Sequence, residues 1–251
     1  MWKVTTKKKV KPKNIILIEG LPGIGNVGKI VVDYLIESLK AQRIAHFFSY
    51  QLPNTVFVNS DNLVELPKIE LYYKQIEGQD FLFLTGDVQP SGDKSCYKFC
   101  ECVLDQSQKY LVKEIITLGG IGLGQIPQKP KVYCTGNDKA LINKFTKLGA
   151  KANIYGIVGP IIGVSGLLIG LSTQKNLKAA TLLVETYNHP MYLGLKEAKE
   201  TLKILKKRYG IKLSLTQLNK EIKNLEKQND SEPKAPVLKR LKKLKEINYI
   251  G

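Results

Sequence analysis

The sequence predicts an α/β protein whose central sheet is covered by helices on both faces. Short apolar runs without polar alternation, such as residues 14–18 and 80–85, are typical of strands buried on both sides. Segments with helical apolar periodicity alternate with these runs along the chain. The 251 residues are 43% hydrophobic, which is enough for a large core. We therefore expect a mostly parallel or mixed sheet.

The first α/β unit consists of strand 14–18, a glycine-rich turn and a helix. The apolar face of that helix is formed by Val27, Ile30, Val31, Tyr34, Leu35 and Leu39. Further strands are predicted at residues 43–50, 55–59, 69–75, 80–85, 114–118, 131–135 and 179–185. Further helices are predicted at residues 94–111, 138–147 and 164–172.

Residues 152–174 carry no charge over 23 positions, a length that is sufficient to span a bilayer. Five glycines and Pro160 interrupt this run. We therefore interpret it as a buried strand, a glycine turn and a short core helix that starts near Gly163. We expect no membrane partner. The apolar run at residues 15–18 is too short for a signal peptide, which favours a cytoplasmic location.

The C-terminal quarter has the pattern of two amphipathic helices joined by a short turn. The first ends at Gly210, a residue suited to a left-handed cap, and the second begins at Ser214 with Gln217 as a capping box. Residues 228–236 have linker composition, and a lysine-rich apolar stripe follows them. The predicted organisation is a basic arm at 1–13, a core at 14–193, a helical hairpin at 194–227 and a flexible linker with an amphipathic basic tail at 228–251.

The formal charge of +17 is concentrated at the ends of the chain. Residues 1–13 contain six lysines and no acidic residue, whereas residues 14–195 contain 17 basic and 15 acidic residues. A nucleic-acid-binding fold usually carries its basic groups on the folded face, so we expect no specific nucleic-acid partner. Four cysteines without paired metal-ligand spacing indicate buried thiols in a reducing compartment, and no metal site.

The loop at residues 23–29, GIGNVGK, fits two phosphate-binding patterns incompletely. As a dinucleotide fingerprint it lacks the acidic residue about 20 positions on, and as a P-loop it has Ile30 where a Mg²⁺-binding Ser or Thr belongs. Glycines are also needed for a sharp strand-to-helix turn with close packing, which is the interpretation we favour. The alternative is an anion-binding loop at a helix N-terminus, formed by Gly23, Gly25, Asn26 and Gly28.

We find no convincing catalytic constellation. Ser165 lies in a sequence that misplaces the second glycine of a nucleophile elbow, and His46 and His189 lack partners at sequence level. Asp87 and Asp93 are explained by turn chemistry beside Gly and Pro. We therefore expect no enzyme activity, no catalytic residue and no cofactor.

Five blocks, taken together and in this order, resemble the proteasome assembly chaperone family in its archaeal branch, the family of the second eukaryotic assembly chaperone. The blocks are EGLPGIGNVG at 19–28, LVELPKIELYY at 63–73, LTGDVQPSG at 84–92, LGGIGLGQIPQKPKVYCTGND at 118–138 and GPIIGVSGLLIGL at 159–171.

This resemblance implies a three-layer α/β/α core similar to purine nucleoside phosphorylases, without a recognised activity. It implies a homo-oligomer, a tetramer or a pentamer, that acts on proteasome core-particle α subunits, alone or with a second assembly chaperone. Several family members end in a hydrophobic-tyrosine-any tripeptide that inserts between α subunits. Here Tyr249 is third from the end instead of second, and we expect Tyr249, Ile250 and the carboxylate of Gly251 to bind the partner. The alternative is a phosphate- or nucleoside-binding protein or enzyme that uses the glycine-rich loop.

Overall fold

The computed structural model of the chain describes residues 2–7, 14–156 and 159–228, with side chains up to residue 224. The strands are β1 Lys3–Thr6, β2 Ile15–Gly20, β3 Gln42–Phe48, β4 Phe57–Val58, β5 Val64–Glu65, β6 Ile69–Ile76, β7 Gln79–Gly86, β8 Val112–Leu123, β9 Val132–Gly136 and β10 Lys178–Tyr187. The helices are α1 Val27–Ser38, α2 Asp93–Lys109, α3 Lys139–Thr146, α4 Val164–Ser172, α5 Leu195–Tyr209 and α6 Thr216–Gln228.

Eight strands form one mixed sheet in the order β1-β3-β6-β7-β2-β8-β10-β9. The four central strands β7, β2, β8 and β10 are parallel, and antiparallel strands flank them on both sides. In the centre of the sheet, Ile18 of β2 lies opposite Phe83 and Ile116. The sequence predicts a mostly parallel or mixed sheet, and the structure confirms a mixed sheet. Strands β4 and β5 form a separate two-stranded ribbon.

The central strand β2 sends alternate side chains to two apolar layers. Ile16 and Ile18 belong to the core under α1, α3, α5 and α6, whereas Ile15 and Leu17 belong to the core under α2 and α4. This alternation follows from the two-residue period of a strand. Helices therefore cover both faces, as the uninterrupted apolar run predicts. The likeness of this core to purine nucleoside phosphorylases stays a prediction.

The predicted helical hairpin packs against the core. Helix α5 ends at Gly210, which has the left-handed φ of 65° expected of a cap. Helix α6 begins at Thr216, two residues after the predicted start, and Ser214 lies before it with its Oγ accepting from the Thr216 amide at 3.3 Å. Leu218 of α6 is fully buried in the layer that contains α1.

The first residues of the chain also belong to the core. The sequence predicts a basic arm at residues 1–13, whereas in the structure Lys3–Thr6 pairs antiparallel with β3, with Val4 opposite Phe47. The Trp2 ring packs against Phe99 with their centroids 4.6 Å apart. Residues 8–13 of the predicted arm lie outside the described residues.

The buried strand predicted within residues 152–174 is wrong, whereas the short helix that starts near Gly163 is present as α4. Lys151 makes one bridge to Tyr133 of the outermost strand β9, and the chain then leaves the sheet towards α4. Tyr155 and Ile162 are 98% and 85% exposed because no layer formed by the described residues covers this segment. No helix within the described part of the chain has the length and apolar character needed to span a membrane.

Candidate functional site at the carboxyl edge of the sheet

The four parallel strands end at one edge of the sheet. The segments that follow β2, β7, β8 and β10 there are the glycine-rich loop 23–28 and residues 87–92, 124–131 and 188–194. In open α/β sheets, ligands and partners are usually bound by the loops at the carboxyl ends of the strands. We therefore expect a functional site at this edge.

The glycine-rich loop makes a single 3₁₀ turn, Ile24–Asn26, before α1 begins. The Asn26 amide donates to the Gly23 carbonyl oxygen at 2.8 Å, and the Gly25 carbonyl oxygen accepts from the Gly194 amide at 2.8 Å. Gly25 has a φ of 62°, and a Cβ there would lie 2.5 Å from Thr186 Oγ1. The segment after β10 thus closes over Gly25, and only glycine fits.

Helix α1 rests directly on the backbone of two strands. A Cβ at Gly28 would lie 2.4 Å from the carbonyl oxygen of Leu118 in β8, and a Cβ at Gly20 would lie 2.1 Å from the Gly28 carbonyl oxygen. Close packing thus accounts for these glycines. Gly23 differs because it is exposed, with only the Gln89 side chain near a Cβ built there. Anion binding by Gly23, Gly25, Asn26 and Gly28 stays a prediction.

Lys29, the lysine of the P-loop pattern, points into the protein. Its side chain is 6% exposed, and its Nζ lies 2.8 Å from Oδ2 of Asp33, one helical turn further on in α1. The Thr85 hydroxyl donates to Asp33 Oδ1 at 2.8 Å. The ammonium is therefore held by a buried carboxylate, and the geometry does not match a lysine that reaches a bound phosphate.

Glu19, near the end of β2, is a fully buried carboxyl group. Its Oε1 accepts from the Leu21 amide at 3.0 Å, and its Oε2 accepts from the Ser165 hydroxyl at 2.9 Å. Burial raises the pKa of Glu19 from 4.5 to about 7, although both hydrogen bonds lower it. Glu19 thereby joins β2 to the first turn of α4. Sequence reasoning gave this residue no role, although an acid inside an apolar strand is a usable signal.

Gln89 joins three segments at the same edge. Its Nε2 donates to the Pro22 carbonyl oxygen at 2.6 Å, and its Oε1 accepts from the Val164 amide at 3.1 Å. One side chain therefore ties Pro22, just before the glycine-rich loop, and the N-terminus of α4 to the segment after β7. The edge is held together by internal polar contacts.

The remaining titratable residues noted in the sequence are dispersed. Asp87 Oδ2 accepts from the Lys68 amide at 3.1 Å, while Asp93 is the first residue of α2. The His189 ring stacks on Tyr187. Burial raises the pKa of the Cys134 thiol to about 12, and all four cysteines are unpaired thiols. Within the described residues, no group of three or more His, Cys, Asp or Glu side chains is arranged to hold a metal ion.

Exposed apolar side chains also gather at the carboxyl edge, and we call this surface the apolar edge. It comprises Ile24, Ile126, Ile162 and Met191 beside the parallel strands, Tyr50 after β3, and Val56, Val58, Leu63, Val64 and Leu66 in and around the β4–β5 ribbon. Tyr50 is 97% exposed. Large exposed apolar patches mark interaction surfaces. The sequence did not reveal the apolar edge because its residues lie in six separate segments of the chain.

The predicted partner-binding residues Tyr249, Ile250 and Gly251 lie outside the described residues. Helix α6 ends at Gln228, where the predicted tail begins.

Several solved structures share this fold. PbaB from Pyrococcus furiosus, an archaeal proteasome activator, is 28% identical, with a TM-score of 0.83 over 90% of this chain and 96% of that chain. PbaA from Pyrococcus furiosus, an archaeal homolog of proteasome-assembly chaperone, is 23% identical, with a TM-score of 0.75 over 98% of both chains. An uncharacterised Methanocaldococcus jannaschii protein is 29% identical over 90% of this chain and 87% of its own length.

The blocks quoted from the sequence contain the glycine-rich loop, the Gln89 segment and the start of α4, which the structure brings together at one edge of the sheet. The model of the PAC2 family matches residues 17–231, which includes nearly all of the described core and the helical hairpin. The chain therefore belongs to the PAC2 family.

Proposed function

We propose that this protein is a proteasome assembly chaperone or proteasome-binding protein that acts as a homo-oligomer. Its partners are proteasome core-particle α subunits, which it engages through C-terminal tails, with or without a second assembly chaperone. The observation that carries the proposal is the likeness to the proteasome activator PbaB, which extends over 96% of that chain. Membership of the PAC2 family supports the same class of function.

The apolar edge supports the homo-oligomer. Tyr50 and Ile162 are 97% and 85% exposed, so the described part of one chain leaves both side chains largely in water. Burying a side chain of this size stabilises by about 1.5–3 kcal/mol, so a cluster of such residues favours association. We propose that the apolar edge is the contact between copies of this chain.

The C-terminal tail supplies the proposed contact with the proteasome. Residues 228–236 have linker composition, and Tyr249 and Ile250 follow a lysine-rich segment. One buried side chain contributes about 1.5–3 kcal/mol before the cost of ordering the tail, which is too little for firm binding. Several tails on one oligomer raise the effective concentration and strengthen binding by about two orders of magnitude or more. In this proposal, oligomerisation makes a weak tail effective.

The proposal includes no catalytic step. The polar groups at the carboxyl edge bind each other: Glu19 binds Ser165, Gln89 binds the backbone, and Lys29 binds Asp33. A catalytic group needs an accessible position next to a substrate. The geometry of these residues therefore supports a structural role for them better than phosphorylase-like chemistry.

Co-purification with proteasome α subunits tests the proposal. The full chain carrying an N-terminal affinity tag should retain core-particle α subunits from the native cell extract, as identified by mass spectrometry. Deletion of residues 249–251 should abolish this retention because the apolar tip is removed. The oligomer size of the deletion variant, measured by analytical ultracentrifugation, should equal that of the full chain.

Two single substitutions make the test specific to the tip. Tyr249→Ala should weaken retention strongly, whereas Asn248→Ala, one position earlier, should leave it unchanged. Undiminished retention by the deletion variant would remove the tail from the mechanism. Absence of every proteasome subunit from the full-chain eluate would refute the proposed function.

A further inference from the structure

The first turn of α4 is held in place by polar side chains from three other parts of the fold. The Ser165 hydroxyl donates to Glu19 of β2 at 2.9 Å, and the Ser165 carbonyl oxygen accepts from the Thr117 hydroxyl of β8 at 3.2 Å. The Val164 amide donates to Gln89, after β7, at 3.1 Å. Helix α4 has only nine residues, and no side chain caps its N-terminus. These contacts therefore fix where α4 begins.

The chain that leads into α4 has little support of its own. Residues 159–163 are exposed or half-buried, and Ile162 is 85% exposed. Segments with few buried contacts open locally at a lower free energy than the whole fold. Ile162 belongs to the apolar edge and lies two positions before Val164. The contacts that hold the first turn of α4 therefore also position a part of the apolar edge.

Glu19 is fully buried without a cation beside it. It makes no salt bridge with any residue in the described part of the chain. Leu84 of β7 and Thr117 of β8 lie opposite it, and α4 contains no titratable side chain. Helix α2 contributes Cys100, with Cys96 near it, and burial raises the pKa of both thiols, which therefore stay neutral near pH 7. An ionised carboxyl group has about four acceptor positions, and here two hydrogen bonds serve them.

We infer that Glu19 is a proton-dependent switch for the start of α4: the protonated carboxyl group holds the first turn against β2, and loss of the proton releases this turn together with residues 159–163. The protonated group keeps both contacts without a buried charge, because its hydroxyl can donate to Ser165 Oγ while its other oxygen accepts from the Leu21 amide. The ionised group gains from water, which opening at α4 would admit. The switch lies within one chain and does not depend on the proposed oligomer or proteasome role.

The switch operates between about pH 4.5 and about pH 7. Burial raises the pKa of Glu19 from 4.5 to about 7, although the hydrogen bonds from Ser165 and Leu21 lower it. In this window the closed state keeps a proton that the open state has lost. The equilibrium constant for opening therefore rises by about tenfold per pH unit, and it levels off at higher pH, where both states are ionised.

Hydrogen exchange of the full chain, followed by mass spectrometry from pH 5 to pH 8, tests the inference. The Leu167 amide, which donates to the Gly163 carbonyl oxygen, reports on the first turn of α4. After correction for the intrinsic pH dependence of exchange, protection of this turn should fall by about 100-fold between pH 5 and pH 7. Low concentrations of urea should leave the protection unchanged at each pH, because a local opening exposes little surface.

Three variants assign the effect to Glu19. Glu19→Gln cannot ionise, so protection of the first turn of α4 should no longer depend on pH. Ser165→Ala keeps the carboxyl group but removes a donor that stabilises its ionised form, so the fall in protection should extend to higher pH. Glu197→Gln is the matched control, because Glu197 is also fully buried and accepts from the Tyr192 hydroxyl at 2.9 Å. It should keep the pH dependence of the wild type.

Four results would overturn the inference. They are protection of the α4 start that does not change with pH in the wild type, a fall that persists in Glu19→Gln, a fall that Glu197→Gln eliminates, and an opening of α4 that is as sensitive to urea as global unfolding. Far-UV circular dichroism checks that each variant is folded.

Discussion

The Ser165 hydroxyl donates a 2.9 Å hydrogen bond to Oε2 of the buried Glu19 carboxyl group. This contact joins the first turn of α4 to the end of β2, two elements that are 146 residues apart in the sequence. The other carboxyl oxygen binds the Leu21 amide. A carboxylate without exposure to water is costly unless it is fully hydrogen-bonded, so the protonation of Glu19 is linked to the stability of the fold.

Glu19→Gln should remove a pH-dependent loss of stability. Burial raises the pKa of Glu19 from 4.5 to about 7, so between these values the folded state binds more protons than the unfolded state. The free energy of unfolding of the wild type therefore falls as pH rises through this window, and the Glu19 contribution amounts to about 3 kcal/mol. The free energy of unfolding of Glu19→Gln, relative to that of wild type, should therefore rise by this amount between about pH 4.5 and about pH 8. Urea unfolding measures it.

Glu101→Gln is the matched control for that measurement, since Glu101 is exposed on α2. Its stability relative to wild type should not change over the same pH range. A constant difference between Glu19→Gln and wild type at all pH values would contradict the link between Glu19 protonation and folding.

Lys29→Met should destabilise the fold by about 3–5 kcal/mol because it leaves the Asp33 carboxylate buried without its counterion. The double variant Lys29→Met, Asp33→Asn should regain most of this loss, since the asparagine oxygen can still accept from Thr85. Chemical unfolding of both single variants and the double variant gives the coupling free energy.

The Lys203–Glu200 pair on the surface of α5, with a 2.7 Å contact, is the exposed counterpart of the buried Lys29–Asp33 pair. Lys203→Met should cost less than about 1 kcal/mol because water replaces the partner. Similar losses at Lys29 and Lys203 would show that burial of the Lys29–Asp33 pair has no energetic consequence.

Local periodicity was sufficient to predict most of the core. The uninterrupted apolar run at residues 80–85 corresponds to β7, Gln79–Gly86, and the helical seam at 94–111 corresponds to α2, Asp93–Lys109. In both elements, the pattern of their own apolar side chains predicts which residues are buried. The helical hairpin was predictable for the same reason, including its cap at Gly210.

Elements that depend on distant contacts were not predictable in this way. Strand β8 was expected to end at residue 118 but continues to Leu123 through three glycines. A Cβ at Gly120 would lie 2.5 Å from the Ile24 carbonyl oxygen, so glycine is required where the loop after β2 lies against this strand. In residues 152–162 the apolar composition suggested burial, whereas the structure exposes Tyr155 and Ile162 at the surface. Composition alone does not distinguish a core strand from an exposed apolar segment.

Gly28→Ala should destabilise the protein by about 3 kcal/mol or more, because the new Cβ would lie 2.4 Å from the Leu118 carbonyl oxygen. Gly23→Ala should change stability by no more than about 0.5 kcal/mol, since a Cβ there meets only the Gln89 side chain, at 3.9 Å. Urea unfolding of both variants measures the difference. Equal stability of the two variants would contradict close packing as the reason for Gly28.

Ile126→Asp and Ile162→Asp together should dissociate the proposed homo-oligomer, because they place two carboxylates in an apolar contact. Both side chains are exposed, at 53% and 85%, so the folded monomer should tolerate the substitutions. Leu111→Asp is the matched control: Leu111 is 61% exposed but directly precedes β8, at the opposite edge of the sheet.

Burying a charge without a partner costs several kcal/mol, which exceeds the gain of about 1.5–3 kcal/mol from one buried isoleucine. Sedimentation velocity should therefore give a smaller species for the double variant and an unchanged species for the control. An unchanged oligomer in the double variant, or dissociation by Leu111→Asp alone, would place the contact between copies outside the apolar edge.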